Sequence, residues 1–223
     1  GIVHQWVSNS IAGKNAFVNR EKLNPNKIRV IYNFIDIDNG FIKSKKIDNK
    51  YRIGVLANYK KNKGHYNLIA ISQLLSNKMI DHEFICAGHD YTNGDLLHKI
   101  NESKCENHFK LIGHIKDKTT FFNKIDVLFL PSYIEGLPTS IIEAMSYNIP
   151  VVSSNVDGLP EAIVNNFNGF ICDPTDFEMF AEYLDKIRNI DIQNMFVENG
   201  KITLNDMFNK EKNIAQWVEV FTN

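Results

Sequence analysis

The sequence predicts an α/β fold in which a doubly wound parallel sheet carries helices on both faces. From about residue 50 onward, short apolar runs alternate with stretches whose apolar residues recur at helical spacing, the pattern of successive strand-helix-strand units. The runs are apolar at consecutive positions, as strands covered on both faces must be. Size agrees: 223 residues, 43% hydrophobic and 23% charged, suffice for one large core and fall short of two complete domains of common size.

Strands are expected at Arg52–Ala57, Glu83–Ala87, Phe109–Ile112, Asp126–Leu130 and Pro150–Ser153, with Gly169–Cys172 as a sixth. Between them Leu68, Ile71, Leu74 and Leu75 recur at helical spacing, as do Leu96, Leu97 and Ile100, then Ile141, Ile142 and Met145. Asp176 to Ile190 and the segment to Phe221 read as helices. The first forty-odd residues stand apart: Gln5–Ser8 and Ile28–Tyr32 read as strands flanking a helix over Asn9–Lys22, a unit too small to enclose a core. The polar stretch Asn39–Lys50, with Lys43, Lys45, Lys46 and Asp48, reads as a linker. The chain opens on Gly1 as if in the middle of a fold, so a piece of something longer is expected.

A formal net charge of −1 argues against a dedicated nucleic-acid binder, which needs surplus Lys and Arg on one face. No apolar stretch approaches the roughly 20 residues that span a bilayer. Cys86, Cys105 and Cys172 have no paired spacing for zinc or a redox dithiol, which suits a reducing cytoplasmic setting.

Ligands of open parallel sheets sit outside the carboxyl ends of the strands, so the loops there are the candidates. In Ala57–His65, Gly64 allows close backbone approach, a helix start favours anions, and Lys60 and Lys63 add positive charge; a solvated lysine-rich turn reads the same way. In Pro131–Met145, Glu135 lies in the turn, Gly136 and Pro138 shape it, and Thr139 or Ser140 starts a helix whose free N–H groups face the crevice. Glu143 is expected in the first turn of that helix, where a carboxylate can accept from vicinal hydroxyls such as those of a ribose. Ser140-x-x-Glu143 is equally the spacing of a capping box. The third loop, Ser153–Glu161, opens a short helix after Asp157-Gly158.

EGLPTSIIEAM at Glu135–Met145, followed by Ile149-Pro150-Val151-Val152, Asp157-Gly158-Leu159-Pro160-Glu161 and Asn168-Gly169-Phe170, resembles the donor-binding half of retaining glycosyltransferases of family four, glycosyl transferases group 1, with the GT-B fold. The family's pair of glutamates separated by seven residues is matched by Glu135 and Glu143. Lys63-Gly64-His65, Ala87-Gly88, Leu111-Ile112-Gly113 and Leu130-Pro131-Ser132 match its other landmarks in order, and Val30–Asp36 is similar to the stretch leaving its N-terminal domain.

The resemblance implies a Rossmann-like donor domain over 51–208, a linker over 40–50, a remnant of the N-terminal acceptor domain over 1–39, and a C-terminal helix over 209–223 that crosses back toward that domain. It implies a nucleoside-diphosphate sugar donor, with Lys60, Lys63 and Gly64 at the diphosphate and Glu143 on the ribose. Glu135 is implied as the catalytic residue near the sugar's reacting carbon, and the N–H groups of Gly136, Leu137 and Thr139 would meet sugar and phosphate oxygens. Ile115, and with it Asp117, would lie at the base. His89 and His114 follow strands, where solvated or structural histidines are common, and His4 matches no motif. No Asp-x-Asp motif or His/carboxylate ligand spacing is present near the crevice, so no metal and no other cofactor is expected, with lysines in the metal's place. The acceptor, a saccharide or lipid-linked saccharide, would be bound by the missing N-terminal domain, leaving the isolated chain inactive. Bacterial surface polysaccharide assembly such as capsule or lipopolysaccharide is the implied setting, in the cytoplasm or at the inner face of the plasma membrane. A GT-B sugar-nucleotide epimerase and a non-catalytic nucleotide-sugar-binding module are the alternatives.

Overall fold

The computed structural model describes residues 5–35 and 48–222. The linker expected over 40–50 therefore lies outside the described residues up to position 47, as do His4 and Asp36.

The main body is a parallel sheet of β3 (Tyr51–Leu56), β4 (His82–Ala87), β5 (Phe109–Gly113), β6 (Val127–Leu130), β7 (Val151–Ser154) and β8 (Phe170–Cys172), in the order β5-β4-β3-β6-β7-β8. Each lies within about two residues of the apolar run that announced it. The chain builds outward from β3 in one direction and then restarts from β6 in the other, so the order reverses between these two strands. A crevice must open at their carboxyl ends, because the connections leave the sheet to opposite sides there.

Pleating sorts the strand residues onto two cores. Ile53, Val55, Phe84, Cys86, Val127 and Phe129 face one layer, packed by Leu68, Ile71 and Leu75 of α2 (Asn67–Asn77), Leu96 and Ile100 of α3 (Asp95–Glu102), and Phe180 and Leu184 of α7 (Phe177–Lys186). Ile85, Ala87, Leu128, Leu130 and Val151 face the other, against α4 (Lys118–Lys124), α5 (Thr139–Ser146), the short α6 (Leu159–Ala162) and Leu204 of α8 (Ile190–Met207). Helix α4 has no counterpart in the sequence reading. The helix expected over Asp176–Ile190 is α7, which Asp176 caps through the Met179 N–H and which ends at Lys186; α8 opens the helical segment expected as far as Phe221, with Asn189 accepting from Asp191 and Ile192 at its start.

The amino-terminal unit is a two-stranded parallel sheet of β1 (Trp6–Ser8) and β2 (Ile28–Val30) joined by α1 (Ile11–Glu21). It docks on the larger body through Glu161, at the end of the third loop. The carboxylate accepts from Ile11 N–H at 2.7 Å and Ala12 N–H at 2.8 Å, the open amino end of α1, and from the Tyr32 hydroxyl at 2.9 Å. Phe208, between α8 and α9 (Lys210–Thr222), is fully buried and edge-on to Tyr32. Along α9, Glu219 pairs with Arg29 at 2.6 Å.

His65, just after Gly64, is fully buried beside the Tyr59 ring, with no well-formed hydrogen bond to either ring nitrogen. Burial, aided by repulsion from Lys63 and only partly offset by the Ala57 carbonyl, pulls its pKa from 6.5 down to about 4. The unfolded chain binds a proton there that the folded one refuses, so this contribution to stability is complete above pH 6.5 and is lost as pH falls toward 4. The full span is worth roughly 3 kcal/mol. Urea unfolding across this pH range is expected to show a shallower acid limb in His65→Gln than in the wild type; equal slopes would contradict a neutral buried imidazole.

Glu161→Ala should cost about 2 kcal/mol and speed amide exchange in α1 while the central sheet stays protected. Burial and then the bond to Glu161 raise the Tyr32 pKa to about 12, so its phenol absorbance titration should move part of the way back toward 10 in the same variant.

Candidate functional site

A cavity of about 420 Å³ opens at the carboxyl ends of β3 and β6, within the size range of small-ligand sites. Its walls come from segments at the ends of four strands: residues 56–63 after β3, Ala87 and Gly88 at β4, residues 114–118 after β5, and residues 135–143 after β6.

The first loop leaves β3 and makes a single 3₁₀ turn, Lys61–Lys63, before Gly64. Gly64 has φ of +73°, and a Cβ there would collide with the Pro131 carbonyl, so only glycine lets the β3 and β6 loops touch. Tyr133 N–H then donates to the Asn62 carbonyl at 2.9 Å. Helix α2 begins only at Asn67, and neither Tyr66 nor Asn67 lines the cavity. The anion-favouring helix end expected on this loop is therefore supplied by its lysines alone.

Lys63 is held across the junction. Its ammonium is 2.7 Å from Glu135 Oε1 and donates to the Ile134 carbonyl at 3.2 Å, which leaves one of its three N–H bonds uncommitted. Lys60 lines the same wall with its ammonium 4.3 Å from the centre of the Tyr91 ring, an attraction of about 0.5–1 kcal/mol that a polyanion can outcompete.

Glu135 is not a solvated loop glutamate. Its side chain is 9% exposed, receives the Ser132 hydroxyl at 2.8 Å as well as Lys63, and its own N–H donates to Asp157 at 2.9 Å. The third loop thus braces the second. Gly158 completes the brace, since a Cβ there would strike the Gly136 carbonyl.

Helix α5 starts at Thr139, with Pro138 as an N-cap that provides no side-chain hydrogen bond. The capping box is absent. Ser140 is the second helical residue, and Glu143, expected in the first turn, stands at the start of the second. The Thr139 and Ser140 N–H groups, at the helix start where intrahelical acceptors are lacking, belong to residues of the cavity wall, while Ile141 N–H donates to the Pro138 carbonyl. Glu143 lines the cavity too: Oε1 accepts from Lys118 Nζ at 2.6 Å, while Oε2 is buried without a partner.

Of the residues singled out in the sequence, Lys60, Lys63, Ile115, Glu135, Thr139 and Glu143 line this one cavity. Gly64, Gly136 and Leu137 do not. Gly64 is behind the wall, and the Leu137 side chain is buried in the core. Asp117 is spent as the N-cap of α4, bonded to Thr120, which holds its carboxyl below the usual range. His114 lines the cavity, stacked on His89 at 4.3 Å. Sequence reasoning missed Lys118, Ser132, Tyr91 and Asp157. The available signal for Lys118 was Asp117, an N-cap residue ahead of the apolar trio Phe121, Phe122 and Ile125.

Residues 36–203 match the family described as glycosyl transferases group 1. The capsular polysaccharide biosynthesis glycosyltransferase CapM of Staphylococcus aureus is 25% identical over 212 residues, 89% of this chain and 56% of that protein. A UDP-Gal:alpha-D-GlcNAc-diphosphoundecaprenol alpha-1,3-galactosyltransferase of Escherichia coli is 25% identical over 154 residues, 68% of this chain and 40% of that protein. Among solved structures, HepE of Anabaena in complex with UDP and glucose superposes with a TM-score of 0.87 at 21% identity, covering 98% of this chain and 63% of that one. The fold is that of GT-B glycosyltransferase structures, and this chain spans about half the length of the curated relatives it matches. On a match that runs over residues 36–203 and so takes in every residue that lines the cavity, the chain belongs to the glycosyl transferases group 1 family.

Proposed function

We propose that residues 51–208 are the donor-binding domain of a retaining glycosyltransferase that takes its sugar from a nucleoside-diphosphate sugar, in the assembly of a bacterial surface polysaccharide. The observation that carries this reading is the convergence of three lysines, two glutamates and a helix amino end on one cavity at the sheet's reversal point. The names of the relatives supply the setting: CapM acts in capsule biosynthesis, and the E. coli enzyme uses a UDP-sugar on a lipid-linked acceptor. Residues 1–39 would be the edge of the acceptor domain, held by Glu161, with α9 crossing back beside it through the Arg29–Glu219 pair. A match to a separately solved C-terminal domain from Francisella tularensis, TM-score 0.63 over 72% of this chain and 87% of that one, supports reading the larger body as such a domain. The acceptor would then be bound chiefly by a domain beyond these residues, and association with the inner membrane surface would reside there.

In this reading the barrier is loss of the diphosphate from a sugar that becomes oxocarbenium-like. The bond from the anomeric carbon to the phosphate oxygen breaks, its electron pair leaves with the diphosphate, and an acceptor hydroxyl bonds to the same face while its proton passes to the departing phosphate oxygen. Lys63 has one N–H to give the departing phosphate, Lys60 can swing from Tyr91, and the open end of α5 adds its partial positive charge. Together they take the place of a metal. Glu143 would hold the ribose, and Ile115 would pack on the base. Glu135, its carboxylate held by Ser132 and Lys63 and its backbone N–H by Asp157, would face the sugar near its reacting carbon; a side chain held in this way orients without reorganising during the step.

Titration calorimetry with UDP, GDP and ADP is expected to reveal one preferred nucleotide, bound at least tenfold more weakly by Glu143→Ala, the loss of about 1.5 kcal/mol or more that follows from a charge-assisted bond. Equal failure of all three, in this chain and in the full-length protein, would remove the site. Lys63→Ala should weaken the diphosphate about 10- to 100-fold and the corresponding nucleoside hardly at all. Transfer is expected from the full-length protein only; turnover by the 223-residue chain alone would overturn the assignment of the acceptor site to another domain.

A further inference from the structure

Glu143 is asymmetric. One carboxylate oxygen is bonded to Lys118 at 2.6 Å, and the other is buried with no donor. An unpaired buried carboxylate oxygen is costly, and this one belongs to a side chain in the wall of the cavity, so a ligand donor is the missing partner.

Lys118 reaches Glu143 from a fixed base. Helix α4 is fastened to α5 by the Thr119 hydroxyl and Tyr147 hydroxyl at 2.9 Å and by Phe122 stacked on the Tyr147 ring at 4.7 Å. Tyr147 lies four residues beyond Glu143, one turn along the same face. The contacts that seat α4 therefore set the distance from the Lys118 backbone to the carboxylate. The pair adds little to stability, because the lysine side chain is 45% exposed. Its consequence should be sought in binding.

We propose that Lys118 is a positioning residue for nucleotide recognition: it takes Oε1 of Glu143, fixes the carboxylate's rotamer, and leaves Oε2 to accept from the ribose hydroxyls of a nucleoside diphosphate. This rests on the reading of Glu143 as the ribose ligand. Without the ammonium the carboxylate is free to rotate toward water, and the hydroxyls lose a prepared acceptor.

The test compares UDP with 2′,3′-dideoxy-UDP by titration calorimetry on the wild type, Lys118→Met and Lys118→Arg. The wild type should prefer UDP by about tenfold or more. Lys118→Met should lose most of that preference through weaker UDP binding, with dideoxy-UDP changed less than about twofold and the urea midpoint unmoved. Lys118→Arg should restore most of it, since a guanidinium can fill the same role. An unchanged preference in Lys118→Met overturns the proposal. So does tighter UDP binding in that variant, which would make the lysine a plug occupying the ribose position. A wild type that binds UDP without discriminating against the dideoxy form instead removes the ribose reading of Glu143, and this inference with it.

Discussion

The contact between Gly64 and the Pro131 carbonyl is the constraint on which the site depends. Strands β3 and β6 are neighbours in the sheet, but adjacency of strands does not bring together the loops that leave them toward opposite faces. A backbone that passes without a Cβ at positive φ does. Once the loops touch, Asn62 pairs with Tyr133, Lys63 falls within reach of Ile134 and Glu135, and the carboxylate that Ser132 already holds acquires its cation. Any side chain at position 64 would push the loops apart and separate the charges that the topology had placed at one crevice.

The same economy governs the third loop, which has contacts at both ends. Asp157 takes the Glu135 N–H and Gly158 lies on the Gly136 carbonyl; four residues later Glu161 grips the start of α1 and Tyr32. Glu161 belongs to the short α6, which begins directly after Gly158, so little chain separates the two sets of contacts. Since the β6 loop carries Glu135, one short segment touches both the amino-terminal unit and the loop that lines the cavity.

The strands were legible because each is an uninterrupted apolar run, and burial on both faces leaves no other arrangement for VLFL or EFICA. The strand order was not legible, since short apolar runs carry no label of their neighbours. Helix α4 was hidden by its content: seven residues, two of them threonines and two phenylalanines, match strand preferences as well as helical ones. Missing α4 meant missing Lys118. Ser140-x-x-Glu143 misled in the opposite sense: the spacing of a capping box was present, but Pro138 starts the helix two residues early and puts Ser140 inside it. Glu135 and Glu143 were located by their motif, and their partners, Ser132, Asp157 and Lys118, were not, because a partner across loops depends on how the loops dock and not on spacing within one.

The charges of the cavity are almost all neutralised before any ligand arrives: Lys63 by Glu135, Lys118 by Glu143, and Lys60 in part by the Tyr91 ring. For a site proposed to bind a diphosphate this has a cost, since an unpaired lysine attracts phosphate more strongly at long range. Pairing has a different advantage. A lone ammonium at a half-buried wall would adopt many rotamers and bind any polyanion, whereas a paired one is already in place, with a single N–H left over and its direction set. The same holds for Glu143, which has one oxygen left over. A ligand that satisfies both remainders must carry an acceptor and a donor at a fixed separation. Phosphate alone lacks the donor and a plain sugar lacks the charge, so the paired site favours a molecule that joins phosphate to vicinal hydroxyls, as a nucleoside diphosphate does.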